Sequence, residues 1–567
     1  MEEITKITHL RNNEYYCMQE LFDFLYNKSQ KGDNFYLLIE YIMREDNLKL
    51  AYRNIKTNNG SKTKGISGKN MTFIGNMVLW KYLKEIKETI TDYNPSMIKR
   101  VGIPKSNGKV RYLGIKEPID KIVEQAIYQI LEPILTAKFH NNSNGFIKGR
   151  STARCMAQFT NYVIKDKLYY VIDLDIKGFF DNVNHGKLLK QLWSCGVRDK
   201  NLLSLISKML KAEILNVGVP DKGTPQGGIL SPLLANLVLN ELDWWLESKS
   251  AKGIRFVRYA DDVKILCPTY SIARDMLEKT SKWLNKRLSL EISDEKTKII
   301  NLKKNYSYFL GIKLKVKIHK RKYKIVSHMT EKALDSTKKK VKNQIRKVRK
   351  TKDTNQIDKY NSLVRGIHNY YEKATNIVED LHNLCWHTNW YVNTKMKDVL
   401  TYGNGSDNKI PFIRGKPLVE IGKVKHNAPR YRGDKINYFE EKSRKQFYKE
   451  LEIDNLFIIE KILRNPKKYE SVEFNDNVIS KFCGQLGKYA ITNNQIFDIT
   501  NMKPTRIKEN GTDKYDNIII VNSKVEKLLR LKEVDDIIEI SNLIKGVKHE
   551  QLEKINNIRK ENSLPLI

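Results

Sequence analysis

The 567-residue chain has little that would suit a secreted or membrane-embedded protein. Its six cysteines, at positions 17, 155, 195, 267, 385 and 483, are scattered and form no CxxC pair, which argues against a disulfide framework or a zinc site. No apolar run approaches the roughly 20 residues of a membrane-spanning helix. The opening residues, MEEITKITHL, do not have the pattern of a signal peptide. We therefore expect an intracellular protein, cytoplasmic in a bacterium or inside an organelle, and not a secreted one.

Acidic residues are in short supply. The chain has 65 Asp and Glu against 102 Lys and Arg, which gives a formal net charge of +37. It is also 40% hydrophobic, with 29 Tyr and 18 Phe, so it has the composition of a folded chain of several domains. A folded chain with this surplus of positive charge is expected to bind a polyanion, and nucleic acid fits better than a membrane surface.

The hydrophobic patterning mixes helices and strands, without internal repeats. An α+β palm is expected up to about residue 315, followed by helical stretches near 330–350, 355–374 and 378–400. Before residue 315, residues 1–60, 118–135 (amphipathic) and 231–248 predict helices, and residues 97–115, 169–180 and 254–268 predict strands.

Four carboxylates come from two of the predicted elements. In VIDLDIKGFF, Asp173 and Asp175 lie on the opposite strand face from the isoleucines and leucine, and Asp261 and Asp262 lie at the tip of a predicted hairpin. Each acid taken alone is most simply a solvated turn residue. Together they have the composition of a site for two Mg²⁺ ions about 3.5–4 Å apart, used for in-line phosphoryl transfer. Hard oxygen ligands favour Mg²⁺ over zinc, with Mn²⁺ as a substitute.

The order of the motifs identifies a family. DLDIKGFFDNVNH, GTPQGGILSPLLANLVLNELD and YADD follow one another in a pattern that closely resembles the reverse transcriptases encoded by group II introns. The resemblance also covers IPKSNGKVRYLGI, NGFIKGRS, LEISDEKTKI and FLGI, and extends into YNSLVRGIHNYY, which is similar to the maturase (X) region of that family. It implies an α+β right-hand polymerase with fingers and palm, an α-helical thumb/maturase domain and a small mixed α/β C-terminal domain.

The resemblance assigns roles to the residues around the carboxylates. Asp175, Asp261 and Asp262 match the catalytic, metal-binding acids, whereas Asp173 does not match a catalytic position and is expected to be supporting or simply exposed. Phe180 matches the bulky residue that excludes a ribose 2′-hydroxyl, so selection of dNTPs is expected to be steric.

Other matched positions concern the nucleotide. Lys105 and Arg111 match residues that grip the triphosphate, although a basic hairpin on a phosphate backbone is an alternative interpretation. Gln226 and Gly227 match positions where the backbone approaches the incoming nucleotide and the template, and Lys296 matches a position near the nucleotide or primer.

Three further motifs match template and primer contacts. Arg150 is expected to contact the template, Tyr259 to contact template or primer, and Leu310 and Gly311 to belong to the primer grip.

The resemblance also implies a domain order and a set of partners. The partners are the group II intron RNA, an RNA template, a DNA primer or target DNA, and dNTPs, with no membrane. The expected segments are an N-terminal extension with the start of the fingers (1–96), fingers and palm (97–315), thumb and X domain (316–405), a basic DNA-binding segment (406–465), a degenerate HNH-like domain (466–532) and a charged helical tail (533–567).

The C-terminal part resembles an HNH endonuclease domain that has lost its chemistry. Thr500 and Asn501 occupy the positions of the family's His pair, and Glu526 that of its last His, so that only the middle Asn remains, as Asn517. Cys483 has no second cysteine nearby with which to form a zinc knuckle. The alternative is that this region is merely structural.

The predicted function is RNA-directed DNA polymerisation combined with maturase assistance to splicing and target-primed reverse transcription, with second-strand cleavage lost. Two alternatives stay open at this point. One is a splicing-only maturase, and the other is a domesticated or defence reverse transcriptase without an intron partner.

Overall fold

The computed structural model describes residues 8–104, 110–351, 353–403, 410–429, 437–447, 456–532 and 537–567. Its helices are α1 (Thr8–Tyr15), α2 (Gln19–Gln30), α3 (Leu38–Ile42), α4 (Glu45–Lys56), α5 (Met71–Gly75), α6 (Leu79–Thr91), α7 (Pro118–Thr136), α8 (Thr152–Ile164), α9 (His185–Ser194), α10 (Lys200–Leu210), α11 (Ser231–Glu247), α12 (Tyr270–Trp283), α13 (Glu331–Lys350), α14 (Asn355–Tyr371), α15 (Ile377–Lys395), α16 (Glu441–Phe447), α17 (Leu456–Arg464), α18 (Val472–Gly484), α19 (Ser523–Arg530), α20 (Ile537–Ile544) and α21 (His549–Glu561).

The strands form small antiparallel sheets. They are β1 (Lys99–Pro104), β2 (Val110–Ile115), β3 (Tyr170–Leu174), β4 (Arg255–Tyr259), β5 (Asp262–Cys267), β6 (Lys298–Asn301), β7 (Ser307–Phe309), β8 (Ile312–His319), β9 (Lys322–Met329), β10 (Leu400–Gly403), β11 (Ile410–Ile413), β12 (Lys416–Pro417), β13 (Met502–Arg506) and β14 (Ile518–Asn522). No helix in the described ranges is long and apolar enough to span a membrane.

The chain divides into two compact units. The first unit comprises Met1–Lys138, Asn184–Leu234 and Asn437–Ile567, and the second unit comprises Phe139–Val183 and Ala235–Ile436. The mixed helix and strand content agrees with the predicted α+β class. The six segments expected from the sequence stay a prediction.

The second unit contains a four-stranded sheet in the order β4-β5-β3-β6. Its central strand β3 carries the buried side chains of Val171, Ile172 and Leu174, which explains its apolar sequence. A second sheet, β7-β8-β9, shares one hydrophobic core with α13, α14 and α15. The three predicted helices after residue 330 are therefore confirmed.

Two expectations about the second unit were wrong in detail. The strand expected over 169–180 ends at Leu174, so that Asp175 already lies outside the sheet. The stretch 316–329 was expected to be part of a helical domain, but it forms most of the β8–β9 hairpin. Alternation of Lys with Leu, Val and Ile suits a strand with one buried face, and this period of two outweighs the general helix preference of Lys.

In the first unit, helix α7 lies at the centre. It was expected to be amphipathic, but nearly all its side chains are buried because α2, α3, α4 and α6 pack around it. The C-terminal strands β13 and β14 pair with each other and pack with α18 and α19, and α18 contacts α4, α5 and α6. The C-terminal part is thus built onto the N-terminal helices within this unit.

Candidate active site

The three predicted metal-binding acids lie at one edge of the four-stranded sheet. Strand β3 pairs with β5 up to Leu174 opposite Val263, so Asp175 and Asp262 are the next residue beyond this last pair on each strand. The β4–β5 hairpin turns at Ala260, which has a φ of 57°, and Asp261. The predicted hairpin with the Asp pair at its tip is confirmed.

Asp175 is held from both its backbone and its side chain. The N–H of Ser293 donates to its carbonyl at 2.8 Å, and its own N–H donates to Thr297 Oγ1 at 3.3 Å. Lys296 Nζ donates to Asp175 Oδ1 at 3.0 Å and to Oδ2 at 3.3 Å. The LEISDEKTKI motif therefore supplies the local partners of the first carboxylate.

A buried lysine joins the second carboxylate to Asp173. Lys264 Nζ lies 3.2 Å from Asp262 Oδ1 and 3.2 Å from Asp173 Oδ1. Ser307 Oγ also donates to Asp173 Oδ1, at 2.8 Å. Asp173 is therefore a supporting residue, and its alternative as a simply exposed one is wrong, since only 13% of its side chain is exposed.

The electrostatic environment of Asp262 works against its charge. Burial raises its pKa, and the neighbouring carboxylates of Asp173 and Asp261 raise it further, while Lys264 lowers it. The net shift is upward. Lys264 pairs with only two of these three acids, so negative charge remains beside Asp262 that a divalent cation could neutralise.

The hairpin tip is fixed by an ion pair that the sequence reading missed. The guanidinium of Arg258 is fully buried and donates to both carboxylate oxygens of Asp243, at 2.7 and 2.5 Å. It also donates to the carbonyl of Ala260 at 2.8 Å and to Asn236 Oδ1 at 3.0 Å. A Cβ on Gly145 would lie 2.4 Å from the N of Ala260, so the NGFIKGRS segment must have glycine there. Gly145, Asn236 and Asp243 of the second unit thus meet around the turn.

The donor set fits a hard divalent cation. Asp175, Asp261 and Asp262 offer only carboxylate oxygens, which suit Mg²⁺ and Mn²⁺. Asp261 is exposed, and no side chain in the described part of the chain donates to it. Across those same residues, no three His, Cys, Asp or Glu side chains already converge as a finished metal site. The two-ion site stays a prediction.

Phe180 lies on a short 3₁₀ turn, Phe179–Asp181, that begins after Gly178 with a φ of 54°. Its ring packs at 5.3 Å, edge to face, against that of buried Phe179. The turn is tied to the LEISDEKTKI segment, since the N–H of Lys177 donates to the carbonyl of Glu291 at 2.9 Å. Phe180 is thus held on the same loop that leaves β3 through Asp175.

The predicted template and primer residues take different positions in this unit. Tyr259 is the last residue of β4, directly opposite Asp262. Arg150 donates to the carbonyls of His140 and Ser143, at 2.6 and 2.7 Å. One of its terminal nitrogens therefore braces the loop, and its template contact stays a prediction.

Leu310 and Gly311 form the two-residue turn between β7 and β8, with φ values of 51° and 76°. The hydroxyl of Tyr370 donates to the carbonyl of Leu310 at 3.1 Å. A Cβ on Gly311 would lie 3.3 Å from the hydroxyl of Tyr371. The FLGI turn therefore packs against the end of the YNSLVRGIHNYY segment.

The other predicted nucleotide-binding residues lie in the first unit. Arg111 Nε, on β2, donates to Gln226 Oε1 at 2.9 Å, and the N–H of Gly114 donates to the carbonyl of Gln226 at 2.8 Å. Gly227 has a φ of 100°, which only glycine adopts readily. Lys105 lies outside the described residues. Arg111, Gln226 and Gly227 are thus brought together as one cluster.

The C-terminal positions lie on a strand–strand–helix arrangement, β13, β14 and α19. Asn517 donates to the carbonyls of Lys508 and Thr512, at 3.1 and 2.9 Å, and clamps the loop between the two strands. Asn501 Oδ1 accepts from the N–H of Ser523 at 3.1 Å, at the start of α19.

The remaining two positions differ from histidine in chemistry. The hydroxyl of Thr500 bonds the carboxylate of Asp498. Glu526 lies half-buried on α19. Neither of these side chains is an imidazole that could take a proton from water near neutral pH.

Comparisons with known proteins point to one family. The family described as reverse transcriptase (RNA-dependent DNA polymerase) matches residues 103–314. Protein YkfC of Escherichia coli K12 is 30% identical over 317 residues, which cover 49% of this chain and 82% of YkfC. The group II intron-encoded protein LtrA of Lactococcus lactis is 33% identical over 267 residues, 46% of this chain and 42% of LtrA.

A solved structure of Candida albicans telomerase with a fragment of telomeric RNA has a TM-score of 0.32 and 14% identity, covering 56% of this chain and 64% of that one. A likeness of this degree adds no support. The family match over 103–314 and the extent of the match to YkfC are sufficient by themselves: this chain belongs to the reverse transcriptase (RNA-dependent DNA polymerase) family.

Proposed function

We propose that this chain copies RNA into DNA and also acts as the maturase of a group II intron. The observation that carries the polymerase part is the placement of Asp175, Asp261 and Asp262 at adjoining ends of β3 and the β4–β5 hairpin. The matched span of LtrA is less than half of that protein, so the likeness supports an intron-type enzyme without giving its full activity.

The three carboxylates would hold two Mg²⁺ ions, which supply charge neutralisation for the attacking 3′-hydroxyl and the leaving pyrophosphate. The protein's own contribution is rigidity. The buried Arg258–Asp243 ion pair supports the hairpin turn. Lys264 offsets the repulsion between Asp262 and the neighbouring carboxylates. Lys296, within 3.0 Å of Asp175, is positioned to meet the phosphates of a nucleotide beside that carboxylate.

Sugar selection is assigned to Phe180. Its ring is buttressed by Phe179, so it cannot easily swing away from a nucleotide placed over Asp175. A ring held against C2′ leaves no room for an additional hydroxyl. Discrimination then depends on volume and does not require a hydrogen bond to the sugar.

Arg111 and Gln226 are assigned to the incoming nucleotide, with Lys105 as a further phosphate ligand. The 2.9 Å hydrogen bond from Arg111 to Gln226 uses Nε, and among the described residues nothing else bonds this guanidinium, so its outer nitrogens are left for a triphosphate. Gly227 lets the backbone of this loop approach a nucleotide without a side chain in the way. Arg150, Tyr259 and the Leu310–Gly311 turn are assigned to template and primer.

The maturase role is assigned to the helical region α13–α15 together with the N-terminal extension. These helices expose Trp386 and Trp390 (61% and 50%), and Trp390 lines a cavity with Lys342 and Arg346, which suits binding to unpaired RNA bases and phosphates. In this role the protein stabilises the intron fold, and the RNA itself carries out splicing.

The C-terminal region is assigned as an HNH-like scaffold without nuclease chemistry. Strands β13 and β14, helix α19 and the loop clamp by Asn517 support the likeness. Thr500 and Asn501 provide no general base at the positions of the His pair, and Glu526 replaces the last His, which would be a metal ligand. We expect this region to retain binding to target DNA without cleaving it.

Two assays test the proposal. Purified protein with Mg²⁺ should extend a DNA primer on an RNA template with dNTPs, and it should accelerate splicing of the intron RNA that surrounds its gene. A labelled DNA duplex incubated with protein, with and without that RNA, should show no protein-dependent nick in the second strand. Absence of primer extension would overturn the polymerase assignment, and a second-strand nick would overturn the assignment of the C-terminal region.

A further inference from the structure

The β8–β9 hairpin has two chemically different faces. The register pairs Lys315 with Val326, Lys317 with Lys324 and His319 with Lys322, and paired residues of an antiparallel ribbon share a face. Because side chains alternate, the intervening residues lie on the opposite face. The first face is basic. The second is apolar and is made by Ile312, Leu314, Val316, Ile318, Tyr323, Ile325 and Met329.

The apolar face anchors the hairpin. Leu314 and Val316 are buried in the core shared with helices α13–α15. Nearer the turn, the ring of Tyr323 packs at 5.2 Å against that of Tyr169, and Lys303 Nζ lies 4.3 and 4.6 Å from these two rings. The basic face therefore stays turned towards solvent, since the ribbon cannot roll over without exposing its anchored side.

The far end of the hairpin, residues 317–324, is here named the arm tip, and all its residues are exposed. Residues 296–330 contain no Asp or Glu at all. In the part of the chain that the structure describes, no carboxylate pairs with Lys317, Lys320, Arg321, Lys322 or Lys324.

The cross-strand pairing of the arm tip is unfavourable by itself. Lys317 lies directly opposite Lys324, and like charges opposite one another destabilise a ribbon. Lys322 lies directly opposite His319, so a second pair of basic residues faces each other across the ribbon. A ribbon selected only for stability would place an acid at one of these positions.

The turn of the arm tip is also strained. Lys320 and Arg321 have φ values of 48° and 62°, the positive pair that a type I′ turn requires. Asn-Gly or Gly-Gly normally fills such a turn, because other side chains are disfavoured in this region of backbone space. Strain and charge repulsion thus coincide at one site, as happens where function competes with local stability.

We propose that the arm tip binds the phosphate backbone of structured RNA. Its cations are Lys and Arg, which contact phosphates, and none of its side chains is an Asn, Gln, Ser or Thr that would read base edges. Exposed His319, on the same face as Lys317 and Lys322, suits an unpaired base of an RNA loop better than a continuous DNA duplex. The choice of RNA as the ligand rests on the proposed function. The exposed cation cluster is an observation that does not depend on it.

This surface is separate from the turn assigned to the primer. Strand β8 runs seven residue steps from Ile312, next to the Leu310–Gly311 turn, to His319, a distance of about 24 Å at roughly 3.4 Å per step. A short primer–template held at Gly311 need not reach the arm tip. RNA binding and basal polymerisation are therefore expected to separate.

The first test neutralises the arm tip with Lys317→Gln, Lys320→Gln, Lys322→Gln and Lys324→Gln together. Its control removes the same charge from exposed lysines elsewhere in the second unit, with Lys165→Gln, Lys252→Gln, Lys282→Gln and Lys286→Gln. We expect the arm variant, but not the control, to bind a structured intron RNA roughly 100-fold more weakly near physiological salt, with a salt slope shallower by about three, for four lost phosphate contacts. Extension of a short primer–template should be unchanged in both.

Each other outcome has a definite meaning. Equal RNA affinity and equal salt slope in the two variants would overturn the proposal. Loss of short primer–template extension in the arm variant alone would show that the tip belongs to the polymerase site, and a loss of affinity for DNA duplex without loss for RNA would assign it to DNA; both overturn it. If wild-type protein extends no primer while the RNA result is as expected, the polymerase assignment fails and the RNA surface stands.

The second test separates charge from folding. Lys320→Asn with Arg321→Gly restores a favoured type I′ turn and removes two cations. We expect the Tm to rise while RNA affinity falls, two changes that a destabilised variant cannot show together. A raised Tm with unchanged RNA affinity, or a lowered Tm, would contradict the proposal.

Discussion

Lys264 Nζ lies 3.2 Å from Asp262 Oδ1, although only 5% of the lysine side chain is exposed. Burying an ammonium group costs free energy unless the group is paired. Lys264 also forms an ion pair with Asp173 on the neighbouring strand. Lys264, two residues after Asp262, thus links the acid pair of the YADD motif to strand β3.

Lys264→Met should destabilise the protein by about 3 kcal/mol, because it leaves two carboxylates without their shared counter-charge. Adding Asp173→Asn should restore part of the loss, since one of the two unpaired charges is then removed. Urea denaturation measures both. Exposed Lys282→Met is the control and should change the free energy of unfolding by less than about 0.5 kcal/mol. A loss no larger than the control's would mean that the pairing contributes little.

Asp243→Asn should both destabilise the chain and impair catalysis. The buried guanidinium of Arg258 would lose a charged partner, at a cost of about 3–5 kcal/mol, and the Ala260–Asp261 turn would lose its support. Exposed Asp275→Asn is the matched control. Chemical denaturation and single-nucleotide incorporation, measured below the unfolding transition, separate the two effects. Normal incorporation with a large loss of stability would restrict the ion pair to a folding role.

Phe180→Val should admit ribonucleotides. Removing the ring opens the volume that a 2′-hydroxyl needs, so the preference for dNTPs over rNTPs should fall at least about tenfold. Phe180→Tyr keeps the ring and should keep the preference. The measurement is the ratio of kcat/KM values for matched dNTP and rNTP in primer extension. An unchanged ratio in the valine variant would remove Phe180 from sugar selection.

Asp476 should make the junction between the C-terminal region and the N-terminal helices sensitive to acid. Burial by itself raises its pKa, but Lys56 at 2.5 Å and Arg53 at 2.8 Å outweigh burial, and the pKa is lowered below the ordinary value. A carboxyl with a lowered pKa stabilises the fold above its unfolded pKa of about 3.9, and this contribution is lost as the pH falls below that value.

Asp476→Asn should therefore lose stability at pH 6, yet change less than wild type between pH 5 and pH 3. The check is denaturant unfolding at several pH values with an intrinsic fluorescence readout. Asp275→Asn, at an exposed position, provides the comparison. Parallel pH profiles for Asp476→Asn and wild type would contradict the assignment of the acid sensitivity to this group.

Short-range pattern predicted much of the second unit. The alternation in VIDLDIKGFF located β3, and the two apolar runs around YADD located the hairpin, because strand periodicity is a local property. Strands β8 and β9 were missed because their lysines outweighed an alternation that was present in the sequence. The family resemblance gave the site residues that local pattern could not.

Contacts between distant residues could not be predicted in the same way. Arg258 and Asp243 are fifteen positions apart, and nothing local shows that both are buried. Asp173 and Lys264 are much further apart in sequence, so Asp173 could not be told from an exposed residue. The burial of Asp476 against Lys56 and Arg53 joins opposite ends of the chain, which only the fold of the first unit brings together.

We propose above all that the acids at the tip of the β4–β5 hairpin bind the cations needed for nucleotide transfer. The most direct measurement is single-turnover incorporation of one dNTP opposite an RNA template with Mg²⁺, comparing Asp261→Asn with the exposed control Asp275→Asn. Asn keeps the shape of Asp261 but removes the charge that binds the cation. Asp261→Asn should abolish incorporation with the Tm unchanged, and Asp275→Asn should incorporate at the wild-type rate. Incorporation by Asp261→Asn at a rate near that of the control would contradict the account.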